Sequence, residues 1–474
     1  MFSIIETSLN KWRNTKKSLC GFGNRSLAAL REPFQPSKRC PRWVCIEDAI
    51  KIVNSEQLVY IQGGSATPFE LIRGLTEHGI CNNLRGVRLV HMGLEGDAPF
   101  VHPEFEKHFR SISLYIGSNL REAVNEGRAD YIPIFHHETP KIFCEGDIIP
   151  DVALIQVSPP DPRGFCSLGT SVDCTRSVLT TAKVIIAQVN EHMPRSFGDS
   201  VIHSSHIDWA VKHDCPLPCV HPGEPPNEVE IEIGKKIAQV LIEDGSTIQM
   251  GIGNIPEAIA CHLSYHKDLG IHSEILGDGM VDLVEKGAIT NQLKSKHRGR
   301  MIGSFAIGTK KVYDFIHNNP FIEILTISYV NDPRVISSQP KMVSINGCIE
   351  MDITGQVSQD SLGCKMYSGF GGQLDFIRGA AMGQDGKGKA IIAFPSITST
   401  GESKIQPILK KGSGVVSTRA HTHYVVTEHG IANLFGKTLR QRANALIQIA
   451  HPDHRECLEK AAFERLKCMP TKYL

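Results

Sequence analysis

Three short segments of this 474-residue chain carry residue types and spacings that could do chemistry. The first is Gly251-Ile252-Gly253-Asn254-Ile255-Pro256, set between the apolar run Ser246–Met250 and a helical pattern from about Pro256. Glycines after a strand let backbone N–H groups approach a ligand, and the following helix N-terminus favours an anion. The loop nearly matches the dinucleotide pattern G-x-G-x-x-G, with Glu274 about where an acidic residue is expected. Pro256 replaces the third glycine, however, and cannot give that glycine's close helix–strand contact. A plain tight turn is the alternative. The second segment is Ile271-His272-Ser273-Glu274-Ile275-Leu276-Gly277-Asp278-Gly279. It reads as a strand that places Glu274 at or near its carboxyl end, where ligands gather in α/β sheets. Apolar surroundings strip water from a carboxylate, which suits a nucleophile. A surface glutamate on an edge strand is the alternative. The third is Ser368-Gly369-Phe370-Gly371-Gly372-Gln373 before a probable helix. Bare backbone N–H groups there suit an oxyanion or a phosphate, the alternative being a flexible turn.

A fourth cluster, His203, His206, His213, Cys215, Cys219 and His221, resembles zinc-ligand spacing only loosely. With no paired ligand motif and prolines in and beside it, loop packing is the simpler account and no metal is expected.

These segments need elements to hold them. Gln57–Gln62 and Gly86–Met92 read as strands, with a turn at Gly63–Pro68 and a helix at Phe69–Glu77 between them. Strand Ile112–Ile116, helix Asn119–Glu126 and strand Tyr131–Ile134 follow. Asp151–Val157 and Ala182–Val189 are nearly continuous apolar runs, as in strands buried on both faces. Such alternation predicts an α/β fold with largely parallel sheets. Pro222-Gly223-Glu224-Pro225-Pro226 is a connector. It divides an N-terminal α/β domain at 44–225 from a second at 226–474, which opens on a helix with Val229, Ile233, Ile237, Val240 and Leu241 at helical spacing.

Hydrophobic residues make up 41% and charged residues 21%, as in a soluble globular chain and unlike a disordered or collagen-like one. No apolar run reaches the roughly 18 residues that span a bilayer. A formal net charge of +1 gives no reason to expect nucleic acid. The 14 cysteines contain no CxxC pair, which argues for a reducing compartment. Residues 1–43 hold nine Lys/Arg against Glu6 and Glu32, leaving 42 basic and 48 acidic residues in the rest. An Arg-rich, Ser-containing, acid-poor leader describes a mitochondrial transit peptide, and so a matrix protein.

Together the segments resemble the acetyl-CoA hydrolase/transferase family, near its 4-hydroxybutyrate, acetate and succinate CoA-transferases. The resemblance runs from about residue 45 to about 460. It includes Val157-Ser158-Pro159-Pro160-Asp161, Asn190-Glu191-His192-Met193-Pro194-Arg195 and Gln249-Met250 leading into Gly251–Pro256. Further along it includes His272-Ser273-Glu274, Ser344-Ile345-Asn346, Gly371-Gly372-Gln373-Leu374-Asp375-Phe376, Thr427-Glu428-His429-Gly430 and Ala450-His451-Pro452-Asp453. The resemblance implies two open α/β domains with the active site between them, usually as a dimer. It implies Glu274 as nucleophile, Gly251, Ile252, Gly253, Asn254 and Ile255 lining a coenzyme A site, and Gly372 with Gly371 as backbone oxyanion contacts. Asn331 and Glu428 match positions near the active site. Lys387 and Lys389 suit CoA phosphates by charge alone. CoA is then a substrate, with no tightly bound cofactor.

The chemistry implied is attack of Glu274 on an acyl-CoA, passage through an acyl-glutamyl anhydride to a glutamyl-CoA thioester, and collection of the CoA by a short-chain carboxylate. An acyl-CoA hydrolase using the same site and a nicotinamide-dependent oxidoreductase are the competing readings. Pro256 argues against the second. Against the first, no His–Asp pair near Glu274 suggests itself to activate water. His272, which shares the face of Glu274 if both lie on one strand, is the exception to watch.

Overall fold

The computed structural model describes residues 32–220 and 224–473, so most of the leader lies outside the described residues. Residues Pro33–Leu474 form one compact unit. Within it, two parallel sheets come from the two halves of the chain.

The first sheet uses β1 (Arg42–Trp43), β2 (Leu58–Ile61), β3 (Val87–His91), β4 (Phe109–Ser113), β5 (Ala129–Tyr131), β6 (Val152–Val157), β7 (Val184–Val189) and β8 (Trp209–Lys212). They lie in the order β1-β8-β7-β6-β2-β3-β4-β5, and every neighbouring pair is parallel. β6 is buried along its whole length, which is why its alternate positions show no polar face. The second sheet uses β9 (Thr247–Met250), β10 (Gly270–Ile271), β11 (Met342–Asn346), β12 (Lys389–Ala393), β13 (Tyr424–Thr427) and β14 (Gly430–Asn433). Their order is β10-β9-β11-β12-β13-β14, parallel except for the last pair.

The two sheets share a core. One apolar cluster joins Tyr60, Ile155 and Val189 to Ile248, Ile259, Ile324 and Val343. The proline-rich connector precedes helix α1 (Glu228–Lys236), which opens on an Asn227/Glu230 capping box and has acids in its first turn and lysines in its last. The chain then passes through a wider turn at Ile237–Leu241 before β9.

Several element boundaries differ from expectation, among them the strand expected at Tyr131–Ile134, which runs over Ala129–Tyr131. The helix after Pro68 runs on to Cys81, because Gly79 is not a stop there: Phe109 packs where its Cβ would be. β4 begins three residues early, at Phe109. Ile271–Leu276 is not one strand. β10 ends at Ile271, and Ile275–Leu276 pairs instead with Phe305–Ala306. The Glu274 carbonyl accepts from Ser304 N–H at 2.9 Å and Phe305 N–H at 3.2 Å, which steers the chain out of the sheet at that residue. Among the described residues no helix is long and apolar enough to cross a membrane.

Candidate active site

Parallel strands leave their loops at their carboxyl ends. Loops after β2 to β5 in one sheet and after β9, β10 and β11 in the other, with Ala393 at the carboxyl end of β12, border a single cleft of about 640 Å³. Glu274 is in its wall, 9% exposed.

Each carboxylate oxygen of Glu274 is held from a different half of the chain. His136 Nδ1 lies 2.9 Å from Oε1. His136 opens the short 3-10 turn His136–Glu138 after β5. The Asn331 side-chain amide donates to Oε2, from the end of helix α2 (Ile327–Val330). Gly372 packs against the same oxygen: a Cβ there would sit 1.6 Å from Oε2 and 2.3 Å from Asn331 Nδ2. Its φ of −92° is open to any residue, so glycine is required by the approach and not by the backbone.

A second pair backs the first. His137 Nδ1 lies 2.7 Å from Asp375 Oδ1, and Asp375 sits in the first turn of helix α3 (Gln373–Ala381). Burial disfavours a proton on His136, but the charge and hydrogen bond of Glu274 outweigh it and hold the imidazole above its usual range. Burial raises the Asp375 carboxyl despite the opposing effect of His137. Asp173, also in the cleft wall, is raised by burial. Glu95, half-buried in the wall, is raised for the same reason.

The glycine loop before α3 docks on the first half. Phe370 N–H donates to the Tyr131 hydroxyl at 3.1 Å, and His136 N–H donates to the Gly371 carbonyl at 3.3 Å. Gly371 has φ +60°, a left-handed conformation that favours glycine. Across the cleft, Gly253 (φ +112°) precedes a helix, Asn254–His262, that begins two residues before Pro256 and has no side-chain cap. Nothing lies within 4 Å of where a Cβ would stand on Gly251 or Gly253. Gly251, Ile252, Asn254 and Ile255 border the cleft directly. This loop therefore offers space and helix N-terminal N–H groups to an anionic ligand.

Other expected residues lie elsewhere. Lys389 starts β12, at the amino end of the sheet opposite the cleft, where its Nζ meets Glu243 at 3.0 Å. Lys387 is two residues further back, on the same side, with its N–H bonded to Asp385. Charge alone carries no information about which end of a strand a lysine occupies, so neither reaches the cleft. Glu428 follows β13 and accepts from Ser396 N–H and Oγ, and is not part of the cleft wall. His272 is fully buried, with Nε2 on the Val330 carbonyl at 2.8 Å, and burial beside Lys294 lowers it to about 3. It is no base for water. The imidazole on Glu274 is His136, and a His–Asp pair, His137–Asp375, stands behind it, contrary to the expectation that no such pair is near. Sequence reasoning missed His136 and His137; their place directly after a strand of the sheet was the available signal. In the loosely zinc-like cluster, His203 binds the Arg163 carbonyl and Ser205, and Cys215 lies against Gln188 and Asn190. His221 lies outside the described residues.

The chain is similar to known proteins over most of its length. Residues 38–221 match the acetyl-CoA hydrolase/transferase N-terminal domain, and residues 308–462 match the C-terminal domain of the same name. A succinyl-CoA:acetate/propanoyl-CoA:succinate CoA transferase of Fasciola hepatica is 53% identical over 93% of this chain and 92% of its own. A 4-hydroxybutyrate coenzyme A transferase of Clostridium kluyveri is 46% identical over 88% of this chain and 96% of its own. The crystal structure of RipA from Yersinia pestis superposes with a TM-score of 0.85 at 31% identity, covering 90% of this chain and 98% of that one.

Proposed function

The chain belongs to the acetyl-CoA hydrolase/transferase family, and from that premise we propose that Glu274 carries coenzyme A as a thioester between a short acyl-CoA and a short-chain carboxylate. The protein is an acyl-CoA:carboxylate CoA-transferase. The observation that carries the residue assignment is the Glu274 carboxylate, buried in the cleft wall and gripped from both halves.

The steps follow from that grip. A Glu274 oxygen attacks the thioester carbonyl, and CoA leaves as thiolate. The thiolate attacks the Glu274 Cδ of the resulting anhydride, and the donor's acid departs. Gly372 and Asn331, both against Oε2, are placed to steady the oxyanions, one such donor being worth on the order of 3 kcal/mol. Gly251–Ile255 receives anionic CoA at the helix N-terminus. Residues 44–225 and 226–474 are then the two functional halves. The basic, acid-poor composition of residues 1–43 supports delivery to the mitochondrial matrix. The family resemblance supports a homodimer with no tightly bound cofactor. Succinyl-CoA, acetate and propanoyl-CoA, from the Fasciola relative's name, are the first substrates to try.

The hydrolase reading has one observation in its favour, an imidazole in contact with Glu274. The test is Glu274→Gln with a carboxylate panel. The variant should bind CoA and make no new CoA ester, since an amide is a very poor nucleophile. Wild-type acetyl-CoA consumption should rise strongly with acetate or succinate, with little free thiol. Retained turnover in the variant overturns Glu274 as nucleophile. Stoichiometric thiol release at a rate no carboxylate changes establishes the hydrolase.

A further inference from the structure

The cleft has a charge problem. Its described walls hold four carboxylates, Glu95, Asp173, Glu230 and Glu274, and neither lysine nor arginine. A carboxylate substrate must nonetheless come within bonding distance of Glu274. Among the described residues of the wall, one side chain can carry positive charge, and it is His136.

The side chain of His136 is 4% exposed. Nδ1 is occupied by Glu274 Oε1 at 2.9 Å. Nε2 is buried and has no hydrogen-bond partner, which is unusual for a buried polar atom and calls for an explanation. The ring packs edge-on against Tyr115 at 5.5 Å, and its Cε1 lies near Gly371. It is therefore held on several sides with one nitrogen uncommitted.

We propose that His136, as an imidazolium, is the receptor for the carboxylate substrate, offering it Nε2–H while Nδ1–H stays on the Glu274 carbonyl group. This deepens the transferase reading and rests on it. In the resting enzyme Glu274 neutralises the imidazolium. In the glutamyl-CoA thioester Glu274 has no charge, so the cation is free to take an incoming carboxylate. The site thus prefers a carboxylate when there is CoA for it to collect. The carboxylate oxygen then bonds to Glu274 Cδ as the Cδ–S bond breaks and thiolate leaves. The thiolate attacks the acyl carbon, and the C–O bond breaks to restore the Glu274 carboxylate. No proton is gained or lost, so His136 can stay protonated throughout.

In the resting enzyme the groups around His136 favour that state, and in the thioester Asp375 and Asp173 remain while the incoming carboxylate supplies the charge that Glu274 has lost. Glu274 bears on it directly, and Asp375 and Asp173 act at longer range in the same sense. His137, its neighbour in the chain, is engaged by Asp375, and the nearby Tyr115 hydroxyl is raised by burial. Against these, burial of the ring opposes the charge.

The experiment uses the full-length enzyme with acetyl-CoA or succinyl-CoA and varied acetate or succinate. His136→Asn places an amide nitrogen near the position of Nδ1 and removes Nε2. The KM for the carboxylate should rise by about 10- to 100-fold, the value of one charged hydrogen bond, with a much smaller change in the KM for acyl-CoA. In the wild type that carboxylate KM should climb as pH is raised from about 6 to about 9 and the imidazole loses its proton; in the variant it should not. An unchanged carboxylate KM in a folded variant overturns the proposal. So does a flat wild-type profile, which decides the matter alone if the variant does not fold. A wild type that forms no new CoA ester with any carboxylate would refute the transferase reading itself.

Discussion

Replacing Gly372 with alanine tests the geometry around Glu274, the proposed nucleophile, with a single methyl group. The added Cβ would lie 1.6 Å from Glu274 Oε2 and 2.8 Å from its Cδ. Real Cβ atoms do not approach oxygen closer than 3.0 Å, so the carboxylate must retreat by at least the difference, about 1.4 Å. Its two bonds run to partners on different halves of the chain, and the methyl would also lie 2.3 Å from Asn331 Nδ2, so both members of that hydrogen bond must shift. A misplacement near 1 Å costs on the order of 100-fold in rate, and losing a placed oxyanion donor costs about 100- to 1,000-fold. The turnover number of Gly372→Ala should therefore fall at least about 100-fold. The fold should suffer far less. With φ −92° and ψ 1° the backbone admits alanine, leaving an overpacking cost of about 1–3 kcal/mol. The assay is initial-rate formation of the new CoA ester, with thermal unfolding measured on the same preparation. A folded Gly372→Ala enzyme within a few-fold of wild-type turnover would refute the placement of Glu274 against this glycine.

Two further outcomes test positions away from the nucleophile. Gly251→Ala should raise the KM for acyl-CoA without lowering the melting temperature, because no protein atom lies within 4 Å of the added methyl; Lys389→Ala, at the far end of the sheet on Glu243, should leave that KM alone. Lys294 is buried, donates to the Ile271 and Arg300 carbonyls, and is lowered to about 7 by burial. The unfolded chain then binds a proton that the folded one does not, so stability should rise with pH from about 7 toward the ordinary lysine range. Lys294→Met should lose that slope in melting temperature against pH.

What the sequence disclosed, and what it hid, follows from the range of each signal. In the first sheet β2 to β7 were readable, and in the second β9, most plainly where two buried faces leave nearly continuous apolar runs, as in β6 and β7; β1, β8 and β11 to β14, short or outside such runs, were not read as strands. The loops Gly251–Ile255 and Gly369–Gly372 were readable because glycine density is local. The break in Ile271–Leu276 was not, since it depends on Ser304 and Phe305, some 30 residues away, bonding the Glu274 carbonyl. His136 and Glu274 are 138 positions apart, and nothing near either residue announces the other. The lysines misled for the converse reason: a positive charge is plain in a sequence, but the end of the strand that carries it is not.

The division of the grip on Glu274 gives the two-sheet plan a chemical meaning. Oε1 answers to the first half of the chain through His136, and Oε2 to the second through Asn331 and Gly372. The direction of the carboxylate is thus set by the fit between halves. That fit is fixed by the shared apolar core below and by the glycine loop above, where Phe370 N–H meets Tyr131 and the Gly371 carbonyl meets His136 N–H. As the proposed nucleophile, attacked in turn by a thiolate and a carboxylate, Glu274 needs a fixed orientation, and Gly372 on one oxygen with His136 on the other supplies it.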